Sequence, residues 1–278
     1  MRDFSGRTAF ITGGASGIGL AMAEAFAERG MRLVIADIDK AALDQCEQRF
    51  RSGSVDVLAV LLDVTDRSAL EAAAKQIEAF GKLHVVCANA GIAPSGAKVA
   101  EIEPAKWDRL LAVNLTGVYN TVHYTLDLLR AHGEGGHIVI TSSMAGAVAA
   151  SPIGDYVVAK FGAVGFGEVM AWELKSDNIG VSILMPGTVV SNLGGRPPAP
   201  SFAAMSAADV GRRVVRAIEG NELHVFTHPD YKPYVQARCD ALMAAFGDSA
   251  QAGFQEPEQV LAMMGQNPYP PKPARPVP

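Results

Sequence analysis

Two hydrophobic patterns alternate along the chain: short runs of apolar, β-branched residues, and longer stretches in which apolar residues recur every three to four positions. The short runs predict strands, at residues 7–12, 31–36, 55–62, 83–88, 137–142, 180–185 and 223–226. The longer stretches predict helices, at residues 17–29, 40–51, 66–80, within 104–132 and near 154–176. Because strand and helix alternate and the strands are continuously apolar, we predict an α/β fold, a doubly wound parallel sheet covered by helices on both faces.

Two segments interrupt this alternation. Residues 187–208 are rich in proline, glycine and small residues, so we predict a loop there that covers a substrate. Residues 267–278 form a proline-rich C-terminal tail, for which we predict an extended or polyproline conformation. The remaining pattern predicts a single Rossmann-type domain over residues 1–266.

Composition excludes several classes of partner. The 278 residues carry a formal net charge of −5 and no run rich in Lys or Arg, which argues against nucleic acid. No apolar run is long enough to cross a membrane, and the N-terminus lacks the apolar stretch of a secretory signal. The three cysteines, Cys46, Cys87 and Cys239, are far apart, as is typical of a reducing compartment. We therefore expect a cytoplasmic protein.

A glycine-rich loop follows the first predicted strand. Its glycines Gly13, Gly17 and Gly19 would let the backbone turn tightly and approach a pyrophosphate at the N-terminus of the next helix. The alternative is an ordinary glycine-rich turn before a helix. The position directly after the first strand favours dinucleotide binding, with Ser16 and Ile18 as further contacts.

Asp37 follows the second predicted strand. A carboxylate at this position can accept hydrogen bonds from the ribose hydroxyls of the adenosine and would repel a 2′-phosphate. Ser16 offers no positive charge to such a phosphate, so the sequence favours NAD over NADP. The alternative is that Asp37 is a helix N-cap, a role that Asp39 could also fill.

The later strands also end in polar or turn-forming residues. Because the carboxyl ends of parallel strands meet at one edge of a sheet, we expect these residues to line one site. The candidate cofactor contacts there are Asp63, Val64, Asn89, Ala90, Gly91, Pro186, Gly187, Val189 and Ser191.

Tyr156 and Lys160 are four residues apart on a predicted helix and therefore share a face. The pKa of a free tyrosine is about 10, too high for a base at neutral pH. A neighbouring ammonium and a positive nicotinamide would lower that pKa, so that Tyr156 could exchange a proton with an alcohol. Ser143, at the end of the fifth strand, could bind the same substrate oxygen. A Tyr-x-x-x-Lys pair alone could arise by chance.

Taken together, these motifs resemble the short-chain dehydrogenases/reductases, from about Arg7 to Phe226. The resemblance implies that Ser143, Tyr156 and Lys160 are catalytic and that Lys160 also binds the nicotinamide ribose. It implies that Asn114 holds a water in a proton relay with Lys160. Ala88 stands where the family often has asparagine, and Ser191 where it often has a threonine that contacts the carboxamide.

We therefore predict an oxidoreductase that transfers a hydride between NAD and an apolar secondary alcohol or ketone, either aromatic or alicyclic. Leu193, Phe202 and Met205 would form an apolar lid, with Met144, Ile153 and Pro94 as further wall residues; the alternative is that the three pack on the protein's own core. The rival functions are an NADPH-dependent carbonyl reductase, a non-catalytic NAD(H)-binding protein, and a lyase or epimerase.

Two further expectations concern metal ions and subunits. His224 and His228 lie four residues apart but without clustered cysteines or carboxylates, so we predict no metal site. The predicted helices within 104–132 and near 154–176 are apolar on more than one face. By the resemblance, such helices pair between subunits, so we expect a homodimer or homotetramer.

Overall fold

The structure, a computed structural model, describes residues 1, 3–190, 204–245, 257–265 and 269. Its strands are β1 Thr8–Thr12, β2 Arg32–Asp37, β3 Val57–Leu61, β4 Val85–Ala88, β5 Gly136–Thr141, β6 Ile179–Met185, β7 Val189–Val190, β8 Met205–Ser206 and β9 His224–Phe226. Seven of them form one parallel sheet in the order β3-β2-β1-β4-β5-β6-β9. The predicted fold class, a doubly wound α/β domain of Rossmann type, is therefore confirmed.

Helices cover both faces of this sheet. The α-helices that the structure describes are α1 Gly17–Ala27, α2 Lys40–Ser52, α3 Arg67–Phe80, α4 Pro104–Leu111, α5 Gly117–Arg130, α6 Gly154–Glu173, α7 Ala207–Gly220, α8 Lys232–Ala245 and α9 Glu258–Met264. On one face Phe26 of α1 and Val214 of α7 pack in the same core cluster as Ile35 of β2. On the other face Leu70 of α3 and Val122 of α5 belong to a second cluster. The two clusters bury the strands from both sides, as the continuous apolar runs predict.

The predicted strands and the first helices lie where the pattern places them, but several elements differ. Helices α8 and α9 and the short strands β7 and β8 were not predicted. The helix predicted within 104–132 is interrupted by a π-helical turn, Ala112–Thr116, between α4 and α5. Helix α7 was not predicted, although Val210, Val214 and Ile218 recur every four residues and are buried. The proline- and glycine-rich segment before α7 obscured where its apolar pattern begins.

The predicted loop 187–208 is described only at its two ends. There β7 and β8 pair in parallel, and the amide of Met205 donates to the carbonyl of Thr188. Met205 is partly buried against the core, which agrees with the alternative that this residue packs on the protein's own core. Residues 191–203, including Ser191, Leu193 and Phe202, lie outside the described residues, as does the predicted tail 267–278 apart from Tyr269.

Among the helices that the structure describes, none combines the length and the apolar character that crossing a bilayer requires.

The packing of α7 on α1 depends on close backbone approach at Gly211. A Cβ atom at this position would lie 2.3 Å from the carbonyl oxygen of Ala21, far inside contact distance. We expect Gly211→Ala to lower the free energy of unfolding by about 1–3 kcal/mol, since the two helices must separate to admit the methyl group. Urea denaturation measures this loss.

The matched control for that substitution is Gly53→Ala at the end of α2. There φ is −83° and the nearest atom to an added Cβ is the carbonyl oxygen of Phe50, at 3.4 Å. Its stability should stay within about 0.5 kcal/mol of wild type. Equal stability of the two variants would contradict close packing at Gly211.

Candidate active site

A cavity of about 710 Å³ lies at the carboxyl edge of the sheet, where the loops after six neighbouring strands meet. Most of the residues predicted from the sequence line it: Gly13, Ser16, Gly17, Ile18, Asp37, Asp63, Val64, Asn89, Ala90, Gly91, Ser143, Tyr156, Lys160, Pro186, Gly187 and Val189. Gly19 and Asn114 are buried behind the wall of this cavity, and Ser191 lies outside the described residues. The size and the mixed polar and apolar lining are typical of a small-molecule or cofactor site.

The glycine loop packs more tightly than any side chain would allow. Gly13 and Gly17 have positive φ angles, +63° and +52°. A Cβ at Gly19 would lie 2.0 Å from the carbonyl oxygen of Gly13, and one at Gly13 would lie 2.9 Å from Cα of Ala90. The loop therefore presents bare backbone to the cavity at the N-terminus of α1, the arrangement that a pyrophosphate requires.

Asp37 connects the end of β2 to this loop. Its Oδ2 accepts a hydrogen bond from the amide of Ala15 at 3.1 Å, and its Oδ1 accepts one from the amide of Asp39 at 3.1 Å. A carboxylate has acceptor sites beyond these two, and Asp37 lines the cavity. It is therefore placed to accept hydrogen bonds from hydroxyl groups. Ile38, with 60% of its surface exposed, extends the wall beside it.

Asp63 and Arg109 form a charged pair in the same part of the cavity. An Arg109 nitrogen lies 3.4 Å from Oδ2 of Asp63, and Oδ1 of Asp63 accepts hydrogen bonds from the amide and hydroxyl of Thr65. Partial burial raises the pKa of Asp63, but the bonds from Thr65 and the charge of Arg109 outweigh it and hold that pKa below its ordinary value. The carboxylate thus engages this arginine of the cavity wall.

Thr12, the last residue of β1, ties β1 to the loop after β4. Its buried hydroxyl donates to the carbonyl of Cys87 and accepts from the amides of Asn89 and Ala90, at 3.2, 3.0 and 3.2 Å. The side chain of Asn89 in turn donates to the carbonyl of Thr12 and accepts from the hydroxyl of Thr141. The sequence pattern places Thr12 only at the end of the first predicted strand, because its hydrogen-bond partners lie far away in the chain.

Asn114 lies in the π-helical turn and holds the same loop further along. Its Nδ2 donates to the carbonyl of Ile92 at 2.9 Å, while its Oδ1 accepts from the amide of Ile92 at 2.8 Å. The side chain is fully buried. The predicted role, holding a water beside Lys160, stays a prediction; the structure shows the amide group engaged with Ile92.

Ser143, Tyr156 and Lys160 meet at the opposite end of the cavity from Asp37. Ser143 follows β5, and its Oγ accepts from the amide of Ala145 at 3.1 Å. Lys160 is buried, and its Nζ donates to the carbonyl of Thr141 at 2.9 Å and lies 5.3 Å from the centre of the Tyr156 ring. The convergence expected from the sequence spacing is therefore present.

The pKa values at this end differ from the expectation. Burial raises the pKa of Tyr156, and a hydrogen bond from Ser143 offsets only part of that rise. Burial also lowers the pKa of Lys160 to about 8. Burial is thus the dominant influence on the Tyr156 pKa, while the Lys160 ammonium donates to the Thr141 carbonyl.

Two side chains near the site were not predicted to have a role in it. Asp155, fully buried, accepts from the amide of Ser95 at 3.0 Å and so ties the β4 loop to the start of α6. His228 contacts the turn at Gly187. The position of Asp155 directly before Tyr156 was the available signal, whereas His228 lies far from the motifs in sequence. Met144, predicted as a wall residue, is instead buried against Ile183 and Met185.

At the opposite edge of the sheet, His84, His132 and Glu134 lie close enough together to bind a metal ion. Hydrogen bonds already engage a ring nitrogen of each histidine. Nδ1 of His84 accepts from the amide of Thr8, and Nδ1 of His132 accepts from the amide of Glu134. Glu134 pairs with Lys82. His224, considered with His228 in the sequence, contacts Glu168 instead.

Comparison with known proteins places this site in a family context. The family model described as short chain dehydrogenase matches residues 7–197. The CLA biosynthesis dehydrogenase/reductase of Lactiplantibacillus plantarum is 30% identical over 86% of this chain and 93% of its own length. The cis-4-hydroxycyclohexanecarboxylate dehydrogenase of Sinomonas cyclohexanicum is 35% identical over 84% and 93%. A short chain dehydrogenase/reductase from Burkholderia phymatum, solved in complex with NAD, has a TM-score of 0.82 at 28% identity, covering 88% of this chain and 97% of its own.

The buried hydroxyl of Thr12 gives a test of the site's framework. In Thr12→Val the amides of Asn89 and Ala90 lose their acceptor, so we expect the free energy of unfolding to fall by about 1–3 kcal/mol. Thr12→Ser keeps the hydroxyl and should lose less. Urea denaturation compares the two variants, and a valine variant as stable as the serine variant would contradict the bridging role.

Proposed function

The chain belongs to the short-chain dehydrogenase family, and from this we propose that it is an NAD(H)-dependent oxidoreductase that interconverts secondary alcohols and ketones. One observation carries the proposal: Ser143, Tyr156 and Lys160 line one end of a cavity whose other end is formed by the glycine loop and Asp37. A cofactor that spans the loops of β1 and β5 would bring its reactive end to the three polar side chains.

The residues present fit NAD. The glycine loop offers backbone without side chains at the N-terminus of α1, and Asp37 offers carboxylate oxygens for ribose hydroxyls. The negative charge of Asp37 would repel a 2′-phosphate, which supports NAD over NADP. When bound, NAD⁺ supplies the nicotinamide C4 carbon that accepts a hydride.

In the proposed mechanism, Tyr156 exchanges the proton. During oxidation the alcohol O–H proton passes to the phenolate of Tyr156, while the hydrogen on the carbinol carbon leaves as hydride and the C–O bond becomes a carbonyl. The Ser143 hydroxyl donates to the substrate oxygen and keeps it beside Tyr156. In the reverse direction Tyr156 gives its proton to the alkoxide that forms from the ketone.

Lys160 supplies the charge that this mechanism needs. Burial raises the pKa of Tyr156, so in the working site a positive charge must counter that rise. Lys160 is the buried cation nearest the ring among the residues lining the cavity, and it is anchored to the Thr141 carbonyl. With a pKa of about 8, it is mostly protonated at neutral pH. The relay through Asn114 belongs to this proposal as well.

For the substrate, we propose an apolar secondary alcohol, such as an alicyclic one. The cavity wall near Gly91 continues with Ile92 and Ala93, and Val189 lies on the other side. Apolar walls of this kind stabilise a hydrophobic ring rather than a charged group. The relative named as a cis-4-hydroxycyclohexanecarboxylate dehydrogenase supports a secondary alcohol on an alicyclic ring, while the carboxylate of its named substrate is not part of this proposal.

A homodimer or homotetramer is part of the proposal. Tyr119 of α5 and Val158, Val169 and Trp172 of α6 are exposed hydrophobic side chains. They give these helices an apolar surface that a second copy could cover. Light scattering measures the oligomeric state, and a monomer at micromolar concentration would contradict this part.

Replacing Tyr156 tests the chemistry. We expect Tyr156→Phe to lower kcat by about 10²–10⁴-fold, because the proton-transfer group is lost while the fold remains. NADH formation from NAD⁺ is measured against alicyclic, benzylic, steroid and short aliphatic secondary alcohols. Tyr234→Phe removes the hydroxyl of an exposed tyrosine and should match wild type.

Three results, from this assay and from the matching NADH-binding and NADPH measurements, would count against the proposal in different ways. A Tyr156→Phe variant that keeps wild-type turnover would refute the assigned role of Tyr156. Tight NADH binding without turnover of any alcohol would favour the non-catalytic NAD(H)-binding protein. Turnover with NADPH alone would favour the carbonyl reductase.

Replacing Asp37 tests the choice of cofactor. We expect wild type to have the higher kcat/KM with NAD, and Asp37→Asn to lower the ratio of NAD to NADP kcat/KM about tenfold or more, because repulsion of a 2′-phosphate is removed. Asp39→Asn is the control, since the Asp39 carboxylate caps α2 through the amides of Ala41 and Ala42. An unchanged ratio in Asp37→Asn would contradict the assignment.

A further inference from the structure

The imidazole of His228 lies directly against the turn that follows β6. Its Nδ1 is 3.2 Å from the amide nitrogen of Gly187 and 2.7 Å from Oγ1 of Thr227, and its Nε2 is 3.1 Å from the carbonyl oxygen of Thr188. Gly187 and Thr188 both line the cavity. The ring therefore contacts the backbone of the cavity wall from outside.

Two of these contacts define which ring nitrogen accepts a hydrogen bond and which donates one. The amide of Gly187 can only donate, so Nδ1 accepts, and the carbonyl of Thr188 can only accept, so Nε2 donates. The Thr227 hydroxyl also contacts both Nδ1 and the Gly187 amide. His228 thus binds the turn through an accepting Nδ1 and a donating Nε2.

The same carbonyl of Thr188 also accepts from the amide of Met205 at 3.1 Å. Thr188 and Met205 stand before and after residues 191–203, so His228 binds at the place where the two flanks of that segment pair as β7 and β8. Gly187 leaves room for the ring, since a Cβ there would lie 2.8 Å from Cγ of His228. On its other side the ring meets Tyr231 edge-on, with ring centres 6.3 Å apart.

We propose that His228 is a positioning residue that holds the Gly187–Thr188 turn against the nicotinamide end of the cofactor. The inference rests on the proposed function, because the turn bounds the cavity end that Ser143 and Tyr156 share. His228 touches no reacting atom. It acts through the backbone of two wall residues and joins them to the chain that enters α8.

Three substitutions separate the two hydrogen bonds. His228→Ala removes both, His228→Asn keeps an acceptor near the Nδ1 position, and His228→Gln keeps a donor near the Nε2 position. His224→Gln is the matched control, since His224 lies on β9 and contacts Glu168 rather than the turn. The measurements are NADH affinity by fluorescence, KM and kcat with NAD⁺, and hydrogen–deuterium exchange of peptides containing Gly187.

We expect His228→Ala to raise the NADH Kd and the KM for NAD⁺ about tenfold, with a smaller change in kcat, because Ser143, Tyr156 and Lys160 are untouched. Exchange at Gly187 should become faster in His228→Ala and return toward wild type in His228→Asn. His228→Gln should recover part of the affinity through Thr188. The control should match wild type in all three measurements.

Wild-type Kd and KM in His228→Ala would overturn the inference. So would a loss of kcat alone, which is what a merely structural role produces by reducing the active fraction. Failure of the proposed function has a different signature, a wild-type protein that neither binds NADH nor oxidises any alcohol. Exchange at Gly187 would then decide alone: faster exchange in His228→Ala supports His228 as the residue that holds the turn, and unchanged exchange refutes it.

Discussion

The site depends on how closely the end of β1 approaches the loop after β4. β1 lies between β2 and β4 in the sheet, so both neighbouring loops must pass over its carboxyl end. Gly13 and Gly19 allow this approach because they carry no side chain, and the hydroxyl of Thr12 satisfies the two amides that the approach buries. A bulkier turn would separate the loops and open the cavity between them.

Side chain to backbone hydrogen bonds then hold the rest of the site. Asn114 binds Ile92, Asp155 binds Ser95, Lys160 binds Thr141 and His228 binds Gly187, in each case between residues 19 to 60 positions apart in sequence. Such bonds would keep the proposed catalytic groups in place before substrate arrives, which would lower the cost of ordering them during the reaction. For Asn114, Asp155 and Lys160 the bond also gives a buried polar side chain its partner.

The sequence predicted the fold and most of the cavity lining because both depend on local patterns of apolar and polar residues. Apolar runs locate the strands, and the residue after each strand falls at the carboxyl edge. What it missed depends on distant contacts: the partners of Thr12, Asp155 and His228, and the burial that raises the pKa of Tyr156. Helix α7 was missed for a local reason, the proline- and glycine-rich segment that precedes it.

The π-helical turn Ala112–Thr116 has an evolutionary consequence. A π-helical turn contains one more residue than an α-helical turn. Its formation therefore depends on how many residues the helix has, as well as on which residues they are. Point substitutions leave that number unchanged, while a one-residue deletion would remove the turn that places Asn114 against Ile92. Descendants of this gene should therefore tolerate many replacements in this helix and very few insertions or deletions.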